Sequence, residues 1–216
     1  MKQIIHTKFI AARLIAVAGL VLSTAASQAA IYHVDINTAA LNNLPANAHA
    51  PFSLDFQFND GGVLGNNTVT ISNFTYSGGA ATGSPFTLGG ALGDIGSTVT
   101  FDNSSFAQEL FQTFTPGAVL GFDLSLTQFV DGATPDSFVV GILDTDLFNI
   151  TTNGLGNSLL QADINTTNPL TITQLGLASG TGAYAGINLA AVPEPGTALY
   201  GAMLIGACVS LRRRRK

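Results

Sequence analysis

His33 and Asp35 are the two side chains whose types and spacing best suit acid–base chemistry. They lie two residues apart in IYHVDI (31–36), so an extended strand would place both on one face. A carboxylate beside an imidazole can orient the ring as a general base. Such a base needs a nucleophile, and the chain has no G-x-S-x-G elbow. We interpret His33 as an exposed or hydrogen-bonded strand histidine, and we expect substitutions at His33, Asp35 and Asp123 to matter little.

Other catalytic groups are scarce. Glycoside cleavage usually needs two carboxylic acids, one of them with a raised pKa. Glu109 is the only glutamate before Glu194, and most aspartates fall in turns or on polar strand positions. The single cysteine, Cys208, lies in an apolar run near the end, so disulfides, zinc–thiolate sites and a cysteine nucleophile are excluded from the rest. We therefore expect a protein that is not an enzyme.

Calcium is the most plausible inorganic ligand. The candidate ligands are Asp136, Asp144, Asp146 and Asn149, which cluster in sequence around one predicted strand. Carboxylate and amide oxygens suit Ca²⁺, although the segment lacks the full calcium-loop pattern with its distal glutamate. The alternative is that these residues cap their own turns. No other cofactor is expected.

Alternating apolar and polar residues predict that the body is built from strands. The clearest segments are FSLDFQF (52–58) and VLGFDLSLTQF (119–129). Shorter segments of the same kind are 31–36, 68–75, 97–101, 137–143, 158–164 and 170–175. Turn-forming clusters of Gly, Asn, Asp and Pro separate them.

One segment departs from the alternation. SSFAQELFQTF (104–114) places Phe106, Leu110 and Phe114 four residues apart, which predicts a short helix. Residues 176–191 are rich in Gly and Ala and predict a weak last strand or the start of a linker. About eight to ten strands with one apolar face favour an all-β, antiparallel β-sandwich, with a jelly roll as its specific form.

The basic residues lie at the two ends of the chain. All eight Lys and Arg fall within residues 1–13 and 212–216, whereas all thirteen Asp and Glu fall within 35–194. The body therefore has no cationic side chain for phosphate contacts except histidine. On this ground we expect no nucleic-acid binding.

The first residues predict a secretory signal peptide. Lys2, Lys8 and Arg13 precede the apolar stretch 14–22, and small residues including Ser27 and Ala29 follow. This order is typical of a segment removed after export, and the apolar stretch is too short to span a bilayer comfortably. We expect cleavage after Ala29, with cleavage after Ala30 as the alternative.

The last residues form a tripartite tail. It opens with a rigid, extended motif, whose residues are Val192, Pro193, Glu194, Pro195 and Gly196. The apolar run 198–211 reaches about 21 Å as a helix, against roughly 30 Å of hydrocarbon, and can lodge in a thinned membrane. The run is followed by basic residues that would stay cytoplasmic, namely Arg212, Arg213, Arg214, Arg215 and Lys216.

This tail resembles the PEP-CTERM sorting signal of Gram-negative bacteria. The resemblance implies passage through the secretion translocon, transient anchoring in the inner membrane and removal of the tail by an exosortase. It also implies a final location at the cell surface or in the extracellular matrix of an exopolysaccharide-producing cell. The segments IYHVDINT, LDFQFNDG, TVTISNFT and VTFDNSSF further resemble PEP-CTERM proteins with β-rich bodies of unestablished function.

These observations divide the chain into three parts. We expect a signal peptide at 1–29, a β-sandwich ectodomain at 30–191 and a sorting signal at 192–216, which comprises the motif (192–197), an apolar transmembrane helix (198–211) and a basic tail (212–216). The expected function is a non-catalytic structural or adhesive role in exopolysaccharide or biofilm. The alternative is a lectin-like carbohydrate-binding module, with or without calcium. The body offers few aromatic residues for stacking on sugars, since it has no Trp and three Tyr (Tyr32, Tyr76 and Tyr184).

Overall fold

A computed structural model describes residues 30–44, 49–62, 64–129, 134–150, 158–164, 171–174 and 187–192. In these residues the chain is all-β, with antiparallel sheets and almost no helix, which confirms the predicted fold class. The strands are β1 (Ala30–Asn37), β2 (Phe52–Asn59), β3 (Val69–Thr75), β4 (Ala80–Ala81), β5 (Phe86–Leu88), β6 (Leu92–Gly93), β7 (Val99–Phe101), β8 (Ala107–Thr115), β9 (Val119–Leu126), β10 (Asp136–Leu143), β11 (Leu160–Ile164), β12 (Thr171–Gln174) and β13 (Ile187–Val192).

The strands form two antiparallel sheets. The six-stranded sheet has the order β13-β1-β9-β3-β7-β6, and the seven-stranded sheet has the order β12-β11-β10-β2-β8-β4, with β5 also paired to β8. The long strands alternate between the sheets along the chain: β1, β3 and β9 belong to the first, and β2, β8 and β10 to the second. This arrangement is consistent with a β-sandwich.

The core lies between the two sheets and follows the predicted alternation. In β2 and β9 every second residue is fully buried, as Phe56 and Phe122 illustrate. Their rings meet edge-to-face across the sheets, with centroids 5.8 Å apart, and Phe138 stacks on Phe56 at 6.0 Å. Each such side chain contributes about 1.5–3 kcal/mol of transfer free energy.

The helix predicted over 104–114 is wrong, because residues 107–115 form strand β8, which lies between β2 and the short strands β4 and β5. The inward positions of β8 alternate between apolar and amide side chains, so Gln108 and Gln112 face the interior beside Leu110 and Phe114. The buried Gln112 Oε1 accepts a hydrogen bond from the Ile95 N–H at 2.9 Å, which satisfies it. Apolar residues four apart share a face in a strand as well as in a helix, so the spacing did not discriminate.

Other elements differ from the prediction at the sheet edges. A 3₁₀ turn is described at Ala39–Asn43. The predicted turn at 77–85 contains β4, and β5 and β6 follow it, so the described residues hold thirteen strands. Of the segment 176–191, the described part is β13, which resolves the earlier alternative in favour of a strand there.

The two ends of the molecule differ in what they carry. One end, called here the termini end, is marked by the start of β1 at Ala30 and the end of β13 at Val192. Leu126 pairs with Ala30 there, and Asn59 and Asp136 mark the same end of the other sheet. The opposite end holds the 3₁₀ turn and the end of β10.

Candidate functional site

His33 lies on the outer face of the six-stranded sheet between two carboxylates. Its Nδ1 is 2.7 Å from Asp123 Oδ1 on the neighbouring strand β9, and its Nε2 is 3.4 Å from Asp35 Oδ1. Asn73 completes the group by donating from Nδ2 to Asp123 Oδ2 at 2.7 Å. Asn73 adopts a left-handed φ of 56° where the β3–β9 register is interrupted by a bulge, which aims its amide at the carboxylate. The sequence paired His33 with Asp35, but the shorter contact is to Asp123.

The electrostatics of this cluster favour a charged imidazole. The hydrogen bond to Asp123 and the nearby charge of Asp35 raise the pKa of His33, although partial burial opposes them. Burial alone would raise the pKa of Asp123, but the hydrogen bonds from Asn73 and His33 outweigh it and lower that pKa. Among the described residues the ring nitrogens of His33 contact carboxylates, not a hydroxyl. The geometry is that of a solvent-facing ion pair.

Asp55 is a buried acid on the outer face of the seven-stranded sheet. Only 2% of the residue is exposed, and its Oδ1 has no hydrogen-bond partner in the described part of the chain. Gln57 Nε2 donates to its Oδ2 at 2.8 Å. Burial raises the pKa of Asp55 to about 7, with Gln57 opposing the rise and Glu109 adding to it. A protonated Asp55 can donate to the Glu109 carboxylate, which would satisfy Oδ1.

The burial of Asp55 comes from its strand neighbours. In the sheet register Asp55 lies between Phe111 of β8 and Gly141 of β10. A Cβ on Gly141 would lie 2.7 Å from Asn149 Oδ1, so the Asn149 amide occupies the space above that glycine. The Phe111 ring stacks on Phe86 with centroids 4.8 Å apart. The sequence placed Asp55 on a polar strand face and carried no local signal that distant residues cover it.

The four candidate calcium ligands do not meet at one place. Asp136 begins β10, whereas Asp144, Asp146 and Asn149 follow its other end, about 26 Å away at roughly 3.3 Å per residue. Asp144 Oδ1 accepts hydrogen bonds from the backbone N–H groups of Asp146 and Phe148, both at 3.0 Å. The carboxylate thus caps its own turn. Within the described ranges no group of three or more His, Cys, Asp or Glu is arranged to hold a metal ion.

His49 lies beside this turn, and among the described residues its ring has no hydrogen-bond partner closer than Asp144. Its Nδ1 is 3.9 Å from Asp144 Oδ2 and has no hydrogen bond in the described part of the chain. Its backbone carbonyl accepts from the Thr145 N–H at 2.9 Å, which ties the two loops together. This contact is made by the backbone and assigns no function to the His49 ring.

Asp136 instead belongs to a buried polar network at the termini end. Asn103, fully buried and with φ of 39°, donates from Nδ2 toward Asp60 Oδ1 at 2.8 Å and Asp136 Oδ2 at 3.1 Å. Asn67 Nδ2 also donates to Asp136 Oδ2, at 2.7 Å, and the Gly61 N–H donates to Oδ1 at 2.8 Å. Amide donors thereby hold two buried carboxylates in a region that has no Lys or Arg. Neither Asn103 nor this network was predicted from the sequence, because its donors and acceptors lie far apart in the chain.

A cleft opens at the opposite end of the molecule. Its volume is about 420 Å³, and it lies between the 3₁₀ turn, the start of β2 and the end of β8. Apolar side chains form most of its wall, and Asn42, Thr82 and Thr115 contribute polar groups. It was not predicted from the sequence, because its walls come from distant segments.

The predicted sorting motif begins where the sheet ends. Val192, its first residue, is the last residue of β13 and pairs with Ile31. Residues 193–216 and 1–29, which carry the rest of the sorting signal and the predicted signal peptide, lie outside the described residues. In the part of the chain that is described, no helix has the length and apolar character needed to cross a membrane.

Comparisons with known proteins return no relatives for this chain. No protein-family model, no curated protein and no solved structure matches it significantly.

Proposed function

We propose that this protein is exported and sorted by an exosortase to the cell surface or extracellular matrix of a Gram-negative bacterium. There it would have a non-catalytic structural or adhesive role in exopolysaccharide or biofilm. The observation that carries this proposal is the pairing of Ile31 with Val192. This pairing brings the two ends of the described chain together at one side of the six-stranded sheet.

The described strands lie between the two segments that we predict to serve transport. β1 begins at Ala30, the residue after the preferred signal cleavage site, and β13 ends at Val192, the residue before Pro193. Removing residues 1–29 and everything after Val192 would therefore leave each described strand intact. The proposal that both ends serve transport is thus compatible with every described strand.

The tail supplies the physical steps of sorting. The translocon would export the chain, the apolar run 198–211 would lodge in the inner membrane, and the basic residues 212–216 would stay on the cytoplasmic side. The Pro-Glu-Pro segment is extended and cannot fold away, so it suits an exosortase that removes the tail. We infer a jelly-roll form for the body, supported by the alternation of long strands between the sheets.

The side chains of His33 and Asp136 have partners within the chain, which supports a non-catalytic role. His33 contacts two carboxylates, and Asp136 accepts hydrogen bonds from two amides and a backbone N–H. These groups stabilise the fold through contacts within the chain.

Fractionation of cells that express tail variants tests the sorting proposal. We expect Glu194→Ala to accumulate as an unprocessed, membrane-bound precursor, and deletion of 212–216 to reduce membrane retention before processing. Asp146→Asn, a change in an exposed turn of the body, is the control and should fractionate like the parent chain. Parent-like processing and distribution of both tail variants would contradict the proposal.

Carbohydrate binding is the second candidate, and the cleft favours it. The cleft combines apolar walls with the polar side chains of Asn42, Thr82 and Thr115, and it lies at the end opposite the tail, where a surface-held body would display it. Retention on a panel of host exopolysaccharides, with and without Ca²⁺, tests this function. Retention that is lost in Asn42→Ala would support it, whereas passage through every polysaccharide column would reject it.

A further inference from the structure

Three large apolar side chains are exposed together at the termini end. Leu64, Phe106 and Phe129 have exposed fractions of 54%, 73% and 50%. They lie in three different connections, namely those between β2 and β3, between β7 and β8, and between β9 and β10. Exposed aromatic and aliphatic side chains from separate loops at one end of a molecule are typical of an interaction surface.

The loops that carry these side chains are held by the buried polar network. The Phe106 carbonyl accepts from the Asp60 N–H at 2.9 Å, and the Phe129 carbonyl accepts from Asn67 Nδ2 at 2.7 Å. The Gly65 N–H donates to the Asn103 carbonyl at 2.9 Å, next to Leu64. The described residues at or next to the three apolar side chains are therefore tied to the network, which lowers the entropy cost of docking them.

The chain itself indicates what covers this end. Val192 pairs with Ile31 at the termini end, so the described chain ends at the same end of the molecule as the three apolar side chains. Residues 193–197 separate Val192 from the apolar run at 198–211. Five extended residues span at most about 18 Å. A membrane that holds the run is thus within reach of this end of the body.

We propose that Leu64, Phe106 and Phe129 seat the body on the membrane that holds the apolar run, with the side chains in the interfacial layer. The inference rests on the proposed sorting function and adds an orientation to it. Apolar side chains enter the headgroup–acyl boundary to about 5–10 Å, which suits three loop residues better than deep insertion. The opposite end, with its cleft, then faces away from the membrane.

The charges at this end fit an interfacial position. Asp60 and Asp136 are 5% and 2% exposed and accept amide hydrogen bonds, so they are withdrawn from the surface that would meet anionic headgroups. Asp102 is exposed nearby, and its hydrogen bonds from Ser104 and Gln108 lower its pKa. A charged Asp102 is compatible with the headgroup layer and would oppose insertion into hydrocarbon.

Site-specific quenching in vesicles tests this orientation with matched pairs. The full chain, with Cys208 replaced by Ala, is reconstituted into phosphatidylethanolamine–phosphatidylglycerol vesicles that contain a lipid with a nitroxide near the headgroup. A fluorophore is attached at Phe106→Cys or, as control, at Phe148→Cys; these residues are 73% and 70% exposed and lie at opposite ends. The second pair is Leu64→Cys and Leu147→Cys, both at positions that are 54% exposed. None of these four changes opens the core.

We expect the labels at 64 and 106 to be quenched at least roughly threefold more than those at 147 and 148, as interfacial burial requires. If the chain floats with the vesicles and quenching is equal within both pairs, the proposed seating of the body on the membrane is overturned. Anchoring of the chain in the membrane would still hold. A chain that does not float with the vesicles would refute the anchoring itself, and the seating with it.

Discussion

Val192 pairs with Ile31 in the β-ladder that joins β13 to β1, so the last described residue lies beside the second residue of the first strand. The pairing extends over six residue pairs and makes β13 the edge strand of its sheet. β13 is thus part of the fold, although its Gly- and Ala-rich surroundings resemble a linker. Val192, the first residue of the predicted sorting motif, is therefore also a residue of the sheet.

Removing β13 should destabilise the body, whereas removing only the tail should not. A chain of 30–186 loses six register pairs with β1, and each ladder hydrogen bond contributes about 0.5–1.5 kcal/mol, so we expect a loss of several kcal/mol. A chain of 30–192 is the matched control. Urea unfolding followed by circular dichroism measures both. Equal free energies of unfolding would mean that β13 is a linker.

Asp55→Asn should abolish a pH-dependent loss of stability. The folded pKa of Asp55 is raised from 3.8 to about 7, so the native state binds the proton between these values while the unfolded state releases it. Stability from this group is complete below about pH 4 and is lost as pH rises through 7, by on the order of 4 kcal/mol. The neutral amide cannot ionise, so the variant should gain stability over the parent chain as pH rises from 4 to 8.

Glu109→Gln is the partner experiment for Asp55. Removing the Glu109 charge should lower the pKa of Asp55, so the loss of stability should be complete at a lower pH. The loss should not disappear, because burial is the larger cause of the raised pKa. Urea unfolding at several pH values measures both variants. Parallel stability curves for the parent chain and Asp55→Asn would contradict the assignment.

Asn103 should be the most sensitive polar residue of the termini end. Asn103→Ala removes one hydrogen-bond donor from each of the buried carboxylates Asp60 and Asp136, which we expect to cost about 3 kcal/mol. Asn42→Ala, a change in the wall of the cleft, is the control. Thermal unfolding compares them, and a loss for Asn103→Ala no larger than for the control would show that the network does not hold the loops.

His33 should titrate above its ordinary value because of Asp123. In an NMR titration of the ring, Asp123→Asn should lower the pKa of His33 more than Asp35→Asn does, since the contacts are 2.7 Å and 3.4 Å. The stability that the charged His33 adds is present below the pKa of the ring in the unfolded state. It is lost as pH rises through the pKa of the ring in the folded state. The side chain is 42% exposed, so solvent screening limits it to less than about 1 kcal/mol. A larger effect from Asp35→Asn would reverse the assignment.

The long strands were predictable because their cores are apolar at every second residue. Phe52, Leu54, Phe56 and Phe58 reveal β2 without further information. β8 was not predictable in this way, because Gln108 and Gln112 occupy inward positions and are satisfied by residues elsewhere in the chain. Local alternation reports burial only where the buried residue is apolar.

The site residues likewise divide into features with a local sequence signal and features that depend on distant residues. His33 was identified from its neighbour Asp35, but its shortest contact, Asp123, is ninety residues away in sequence. The burial of Asp55 likewise depends on β8, β10 and the segment that carries Asn149. Contacts between strands distant in sequence leave no local pattern, and the fold is needed to find them.

The most direct test of the central claim is the intact mass of the protein recovered from the cell surface and matrix of an expressing Gram-negative host. The account predicts a form that begins at Ala30, or at Ile31 if cleavage follows Ala30, and that lacks the apolar run and basic tail. Recovery of the complete chain, Met1 to Lys216, from the cytosol alone would contradict it.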